Sequence, residues 1–469
     1  MIENIIGRNY EKQVLKSAYE STKSEFIILY GRRRVGKSFL INEFFNNSFF
    51  FDFSGLSNKN KDETFKQFQV KLKTNLEINN WFDGFNILRD KIALTDETTK
   101  KVIFLDEFPW MDITGGELIS SLEFFLNDFV FKRHDILLIV SGSVTSWIIK
   151  KILNAYNGLY KRVTKQIKLQ PFKLNEVKEF LTINKGMLLS NYNIAEIYMV
   201  FGGIPYYLDY FSKELTISQN IDMIFFRENS PLKSEKKQLF ESMFLTNSLH
   251  YEVINCLSNS WNGLTRNQIT DKLKLPNNGR ISSIIDDLIE AGFIKNYPNY
   301  PNKKKEEVYA IIDNFLLFYN FFIENNKEND SHFWENNYLS SKLSAWRGLS
   351  FEKVVLNHID EVKNALGILR VSTNIYTLAN QKTQIDLIID RKDQIVNLCE
   401  IKFSINEFVI GKDYDLSLRN KIVELTDKLK TNKNIQVTFI TTYGVRKNEY
   451  SSLISNDITI DKLFCEIPL

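Results

Sequence analysis

The sequence predicts an α/β protein: an open parallel sheet, then a helical segment, then a helix–turn–helix with a β-wing, then a second mixed α/β domain. Three observations carry this. Short, almost wholly apolar runs alternate with helical patterns through residues 1–165, as parallel strands covered on both faces require. Residues 166–245 keep helical spacing and lose every strand signal. Strand patterns then return, first as a short hairpin and again after residue 338.

In the first segment the strands are FIILY (26–30), FFFDF (49–53), VIFLD (102–106) and ILLIVSG (136–142), with a helix over 117–131. The second segment, 166–245, reads as a helical lid, with LNEVKEFL and NIAEIYMVFGGIPYYLDYF as its clearest helices. In the third, 246–325, Thr265 suits an N-cap and Gly292 a C-cap. FIKNY and EEVYAIID flank PNYPNKKK there as a two-stranded wing, and the helix NFLLFYNFFIEN follows. The Asn-rich stretch 325–337 is the linker into the fourth segment, 326–469, where a helix near 348–360 precedes strands near 385–390, 395–403 and 435–441.

Composition narrows the class. The 469 residues are 43% hydrophobic and 25% charged, ordinary for a globular chain with more than one core. Lys+Arg number 60 against 57 Asp+Glu, a net charge of +3, so charge alone announces no nucleic-acid partner. Three scattered cysteines and four scattered histidines build neither a disulfide framework nor a zinc site. The apolar runs fall short of the roughly 20 residues of a membrane span, and MIENIIGRNYEK has no apolar signal core. These features lead us to expect a soluble, cytoplasmic protein with no membrane partner.

The strongest motif is GRRRVGKS at 31–38, which fits G-x-x-x-x-G-K-[ST]. A chain of this length should produce about 0.02 chance matches at ~7% glycine usage. The flanks agree, with a strand running in and the helix SFLINEFF running out. Such a loop curls backbone N–H groups around phosphates at a helix N-terminus. Gly31, Arg32, Arg33, Arg34, Val35, Gly36 and Phe39 are expected around the nucleotide. Lys37 should reach the β- and γ-phosphates, and Ser38 should hold Mg²⁺. The strand VIFLD ends in Asp106–Glu107, where an open sheet gathers ligand residues. Asp106 is the expected partner of the Mg²⁺ shell, and Glu107 the general base that polarises the attacking water. ILLIVSGS ends in Ser141 and Ser143: either one senses the γ-phosphate, or both are only small residues at a strand end. Arg162, in NGLYKRV, suits an arginine finger acting in its own subunit or a neighbour's, or else a plain surface arginine.

The last domain carries Asp386 in QIDLIID, and Glu400 and Lys402 in CEIKF. Residues i and i+2 of a strand share a face, so Glu400 and Lys402 point together. A hairpin brings Asp386 beside Glu400. Two carboxylates bind a divalent metal, and a lysine beside them orients a water against a phosphodiester. Glu352, in RGLSFEKVV, would add a third carboxylate from a helix. A polar strand edge produces the same pattern without chemistry. In the third segment Asn277, Asn278 and Arg280 lie at the start of the presumed recognition helix and Lys303–Lys305 in the wing, an arrangement that serves DNA bases and phosphates or only protein contacts.

Together these motifs resemble the archaeal-type P-loop ATPases of the AAA-like branch, found also in bacteria, with a winged helix and a C-terminal PD-(D/E)XK restriction-endonuclease-like domain. The resemblance runs over nearly the whole chain through IIGRNYE, YGRRRVGKS, FLDEFPW, IVSGS, LYKR, FGGIPYYL, RGLSFE, QIDLIID and CEIKF. It implies that Gly7 and Arg8 sit near the nucleotide, that the nucleotide is ATP, and that Lys37, Ser38, Asp106 and Glu107 form the ATPase site. It implies that Glu352, Asp386, Glu400 and Lys402 form a nuclease-type centre using Mg²⁺ or Mn²⁺, with Asp386 and Glu400 as metal ligands. DNA is the implied partner, and a homo-oligomer stays open. No arginine of the helical lid matches the family's sensor position. The rival expectation is an ATP-switched DNA-binding or scaffold protein whose last domain only docks a partner.

Overall fold

A computed structural model of the chain describes residues 4–56, 60–154, 159–244, 247–298, 307–324, 330–379, 384–429 and 433–467. It divides into two compact units, one of residues 1–170 with 239–245, the other of residues 171–238 with 246–469. The helical segment expected at 166–245 is thus shared between them.

The first unit is built on a five-stranded sheet of β1 (Glu25–Tyr30), β2 (Phe51–Ser54), β3 (Lys101–Asp106), β4 (Ile136–Gly142) and β5 (Lys165–Lys168), in the order β2-β3-β4-β1-β5. Every pairing is parallel. The strands are apolar throughout because both faces are covered: Phe26 to Leu29 and Ile136 to Val140 are fully buried. Phe51, Phe53, Phe68, Trp81 and Phe85 make a linked set of ring contacts in this core. Burying each such side chain contributes roughly 1.5–3 kcal/mol. The chain order places the C-terminal ends of β1, β3 and β4 side by side, where an open α/β sheet binds its ligand.

The second unit begins with helices, among them Leu174–Lys185 and Asn191–Phe201. A small antiparallel sheet follows, β6 (Leu264–Thr265), β7 (Ile294–Pro298) and β8 (Glu307–Ile311) in the order β6-β8-β7, with helices Asn247–Ser258, Arg266–Leu273 and Gly279–Glu290. Thr265 caps its helix as expected. Its hydroxyl accepts from the Gln268 amide at 3.3 Å, and the Gln268 side chain accepts from the Thr265 amide at 2.8 Å. Gly292 follows the next helix at φ +76°. Lys303, Lys304 and Lys305 lie outside the described residues. Part of the expected linker is a short helix, Phe333–Asn337. Both oxygens of buried Asp222 hold its start, accepting from the amides of Trp334 (2.7 Å) and Glu335 (3.1 Å).

The chain ends in a second five-stranded sheet, β9 (Thr373–Ala379), β10 (Gln384–Arg391), β11 (Ile395–Lys402), β12 (Asn434–Thr441) and β13 (Ile454–Thr459). Its order is β13-β12-β11-β10-β9. β9, β10 and β11 pair antiparallel, whereas β11, β12 and β13 run parallel. Helix Ser341–Asn357 precedes it in sequence, and helix Lys412–Leu429 joins β11 to β12. Among the described residues no helix is long and apolar enough to cross a membrane.

Candidate active site

In the first unit β1 runs into the 31–36 loop and out through helix Lys37–Phe44. Two glycines make the loop possible. Gly31 sits at φ +148°, and a Cβ there would stand 2.3 Å from the Leu169 carbonyl oxygen. Gly36, at φ +94°, caps the helix in the left-handed region. Arg34 is left-handed too, at φ 72°. Such a curl presents successive N–H groups to an anion at a helix N-terminus. Arg8 braces it from outside: its guanidinium donates to the Val35 carbonyl at 3.2 Å and the Gln170 carbonyl at 2.7 Å. Gly7 precedes it at φ 57°.

Lys37 is the first residue of the helix and is buried. Its amine donates to the carbonyls of Gly31 and Arg32, each at 3.1 Å, using two of its three protons. Burial pulls its pKa below the ordinary lysine value, while Glu107 and Asp106 push it back up. The Ser38 hydroxyl donates to Asp106 Oδ2 at 2.6 Å. The Ser141 hydroxyl donates to the other oxygen, Oδ1. Glu107 follows β3 in a left-handed turn, φ 45° and ψ 45°. Its Oε2 accepts from the Ser143 amide at 3.1 Å and the Ser143 hydroxyl at 2.7 Å. The ends of three strands therefore converge on one place: a buried amine, a hydroxyl–carboxylate pair of hard oxygens that suits Mg²⁺, and an oriented second carboxylate.

In the second unit the β10–β11 register sets Leu387 opposite Cys399, and so Asp386 opposite Glu400. Asp386 Oδ2 accepts from the Ile401 amide at 3.0 Å. The Lys402 amine lies 3.8 Å from Asp386 and 3.7 Å from Glu400. Glu400 is fully buried, and both its oxygens are taken. Tyr414 donates to Oε2 and Lys421 to Oε1, each at 2.5 Å. Burial, and next the charge of Glu400, raise the Asp386 carboxyl above its ordinary value. Glu352 is pushed up to about 7, by burial first and then by Asp386. Glu352 and Asp386 share the wall of one small cavity with Trp261, Tyr297 and Lys353. The Lys353 amine donates to the Trp261 carbonyl at 3.2 Å. Among the described residues the one set of three or more His, Cys, Asp or Glu residues whose ligating atoms all come within 4.8 Å of one another is Asp222, His332 and Glu335. Asp386, Glu400 and Glu352 do not close to that spacing.

Residues 6–211 match the model of an ATPase domain found predominantly in Archaea. Residues 6–211 have the parallel α/β sheet of a P-loop ATPase domain. Over 430 residues it is 26% identical to an uncharacterized protein of Methanocaldococcus jannaschii, covering 90% of this chain and 93% of that one. An uncharacterized ATP-binding protein of the same organism is 45% identical over 42 residues, 9% of this chain and 71% of that one. Among solved structures, the Walker-type ATPase of Pyrococcus abyssi aligns at 17% identity and a TM-score of 0.46, covering 68% of this chain and 97% of that one. The ORC2 protein of Aeropyrum pernix, in its ADPNP–ADP complexes, aligns at 14% identity and a TM-score of 0.43, covering 67% and 94%.

Within the ATPase domain the expected residues do not all lie together. Lys37, Ser38, Asp106 and Glu107 converge. Of the rest of the loop, Arg32 and Val35 are buried, Arg34 is half-buried, and Arg33 and Phe39 face solvent. Ser143 holds Glu107, so its hydroxyl is already engaged by that carboxylate rather than held free for the γ-phosphate. Arg162 is exposed, with its guanidinium 5.7 Å from the Phe131 ring centre. It precedes β5, whose partner β1 points its C-terminal end at the loop, so Arg162 stands at the opposite end of the sheet. It is out of reach of its own phosphate loop, and a finger role within this subunit does not fit. In the second unit, sequence reasoning missed Tyr414 and Lys421. They are seven residues apart on one helix, a spacing that puts them on one face, but nothing local ties that face to Glu400.

Proposed function

We propose that this chain hydrolyses ATP with Mg²⁺ and uses the nucleotide state to control DNA binding and metal-dependent DNA cleavage by its C-terminal part. The observation that carries the proposal is the pairing of Asp386 with Glu400 under Lys402, in the same chain as the convergence of Lys37, Ser38, Asp106 and Glu107. The convergence of these side chains supports the ATPase step. Lys37 binds the β- and γ-phosphates, and the loop amides hold them in place. Ser38 and Asp106 would hold Mg²⁺, which when bound neutralises charge on the phosphates. Glu107, oriented by Ser143, accepts hydrogen bonding from a water and directs it in line at the γ-phosphorus. The new P–O bond forms as the bond to the β–γ bridging oxygen breaks. The water's proton leaves toward Glu107 or the released phosphate.

On this reading residues 246–325 form a winged helix that contacts DNA, with Asn277, Asn278 and Arg280 toward the bases. Residues 326–469 form a restriction-endonuclease-like domain with a leading linker. Asp386 and Glu400 would hold a divalent ion there, and Lys402 would orient the attacking water. The donor set is hard oxygen, as Mg²⁺ or Mn²⁺ needs. One observation favours a second reading, an ATP-switched DNA-binding scaffold: Glu400 already has Tyr414 on one oxygen and Lys421 on the other.

The deciding experiment incubates the full chain with supercoiled and linear DNA and Mg²⁺ or Mn²⁺, with and without ATP. Lys37→Ala and Lys402→Ala serve as controls. ATP-modulated cutting that Lys402→Ala abolishes, with ATPase activity intact, supports the nuclease. Equal cutting by wild type and Lys402→Ala sinks that assignment. ATP hydrolysis with no cutting in any condition moves the function to the scaffold.

A further inference from the structure

Directly after Lys402 the chain builds a surface that the proposed cleavage chemistry does not use. β11 and β12 run parallel, with Lys402 paired to Thr441, so Phe403 and Tyr443 emerge from adjacent strand ends. Three rings gather there. Tyr192, from helix Asn191–Phe201, stacks on Phe403 with centroids 4.6 Å apart and planes 20° apart. Tyr443 lies 6.1 Å from Tyr192 with planes only 12° apart. Phe351, next to Glu352 in its helix, supports Phe403 at 5.1 Å.

The backbone under these rings is pinned. Thr442 Oγ1 accepts from the Ser404 amide at 2.9 Å and donates to the Ser404 carbonyl at 2.6 Å. The Phe408 amide donates to the Gly444 carbonyl and the Arg446 amide to the Phe408 carbonyl, both at 2.9 Å. Tyr443 is nonetheless 46% exposed. Arg446 and Lys447, exposed just beyond it, put two cations on the same short segment. A core tyrosine would be covered, and a loop tyrosine would lack parallel rings behind it.

We propose that Tyr443, backed by Tyr192 and Phe403, is a stacking platform for an unpaired nucleobase of a single-stranded DNA segment, whose phosphates meet Arg446 and Lys447. This rests on the reading that the C-terminal part acts on DNA, and it names the form of the DNA. Every base has a π-face, so stacking recognises an unpaired base without reading its identity, whereas a base inside a duplex has no free face. The platform therefore selects single-stranded ends, gaps or flaps, and holds them at the strand end that carries Lys402.

The test measures binding of a fluorescent oligothymidylate, and of a duplex of the same length, to the full chain without divalent metal. Wild type is compared with Tyr443→Ala and Tyr443→Phe, with ATPase activity as the check on folding. Tyr443→Ala should weaken single-strand binding about tenfold, leave duplex binding unchanged, and keep wild-type ATPase activity. Tyr443→Phe keeps the ring and should bind within about twofold of wild type. If wild type binds the single strand and Tyr443→Ala binds it equally well, the platform is wrong while the DNA reading stands. An equal loss for single strand and duplex also overturns it. If wild type binds neither DNA, the DNA reading itself falls and takes the platform with it.

Discussion

Ser143 holds Glu107 by a single oxygen. Both its amide and its hydroxyl donate to Oε2, at 3.1 and 2.7 Å, which leaves the Oε1 lone pairs for a water. Two predictions separate orientation from chemistry. Glu107→Gln keeps a similar shape and loses the base, so kcat for ATP hydrolysis should fall about 10²–10⁴-fold while ATP still binds. Ser143→Ala removes one hydrogen bond worth about 1 kcal/mol and should lower kcat by roughly fivefold to tenfold with KM nearly unchanged. Phosphate release and nucleotide titration measure both. An unchanged kcat in Glu107→Gln would remove Glu107 from the mechanism.

Gly31 should tolerate no side chain. A Cβ would stand 2.3 Å from a backbone oxygen, and φ +148° disfavours any L-residue. Gly31→Ala is expected to cost about 1–3 kcal/mol of stability and to weaken nucleotide binding by displacing the loop. The shift of the urea midpoint, compared with that of an alanine at solvent-facing Arg33, measures the first effect.

His358 sets an acid limit on stability. Its ring is fully buried, Nε2 accepts from the Leu174 amide at 3.0 Å, and Nδ1 faces the Val354 carbonyl at 2.7 Å. Only the neutral Nδ1–H tautomer satisfies both contacts, because a protonated ring would set N–H against N–H. Burial first, then nearby Lys173, depress its pKa from 6.5 to about 3. With the folded value below the unfolded one, the unfolded chain binds more protons between pH 6.5 and 3. Stability from this group is present above pH 6.5 and is lost as pH falls, at about 1.4 kcal/mol per unit. Urea unfolding across this range should show that slope in wild type and a flatter one in His358→Gln. Equal slopes would contradict the assignment.

Lys421 neutralises a carboxylate that has no solvent, and Tyr414 donates a hydrogen bond to it. Lys421→Ala leaves Glu400 buried beside only Tyr414 and the more distant Lys402, so it should destabilise the chain by roughly 3–5 kcal/mol. Adding Glu400→Gln removes the charge and should restore part of that loss. A thermal or urea series on the two single variants and the double variant measures the coupling. Additive effects would mean that the pair does not interact.

Features set within a few residues were legible in the amino-acid order alone. GRRRVGKS specifies its loop because two glycines, a lysine and a serine at fixed offsets permit one curl between a strand and a helix. Strand alternation already places Glu400 and Lys402 on one face, and a short hairpin sets Asp386 opposite Glu400. The apolar runs of β1, β3 and β4 announce a parallel sheet because both its faces need cover. Contacts between partners far along the chain depended on the packed fold. Ser141 and Ser143 turn to Asp106 and Glu107 because β4 lies beside β3. Arg162 stands at the far end of the sheet because β5 runs parallel to β1. Tyr414 and Lys421 reach Glu400 from a helix, and Tyr443 meets Tyr192, which stacks in turn on Phe403. Local spacing fixes dihedrals and faces, but a buried charge or a stacked ring takes the partner that packing delivers, and packing is a property of the whole chain.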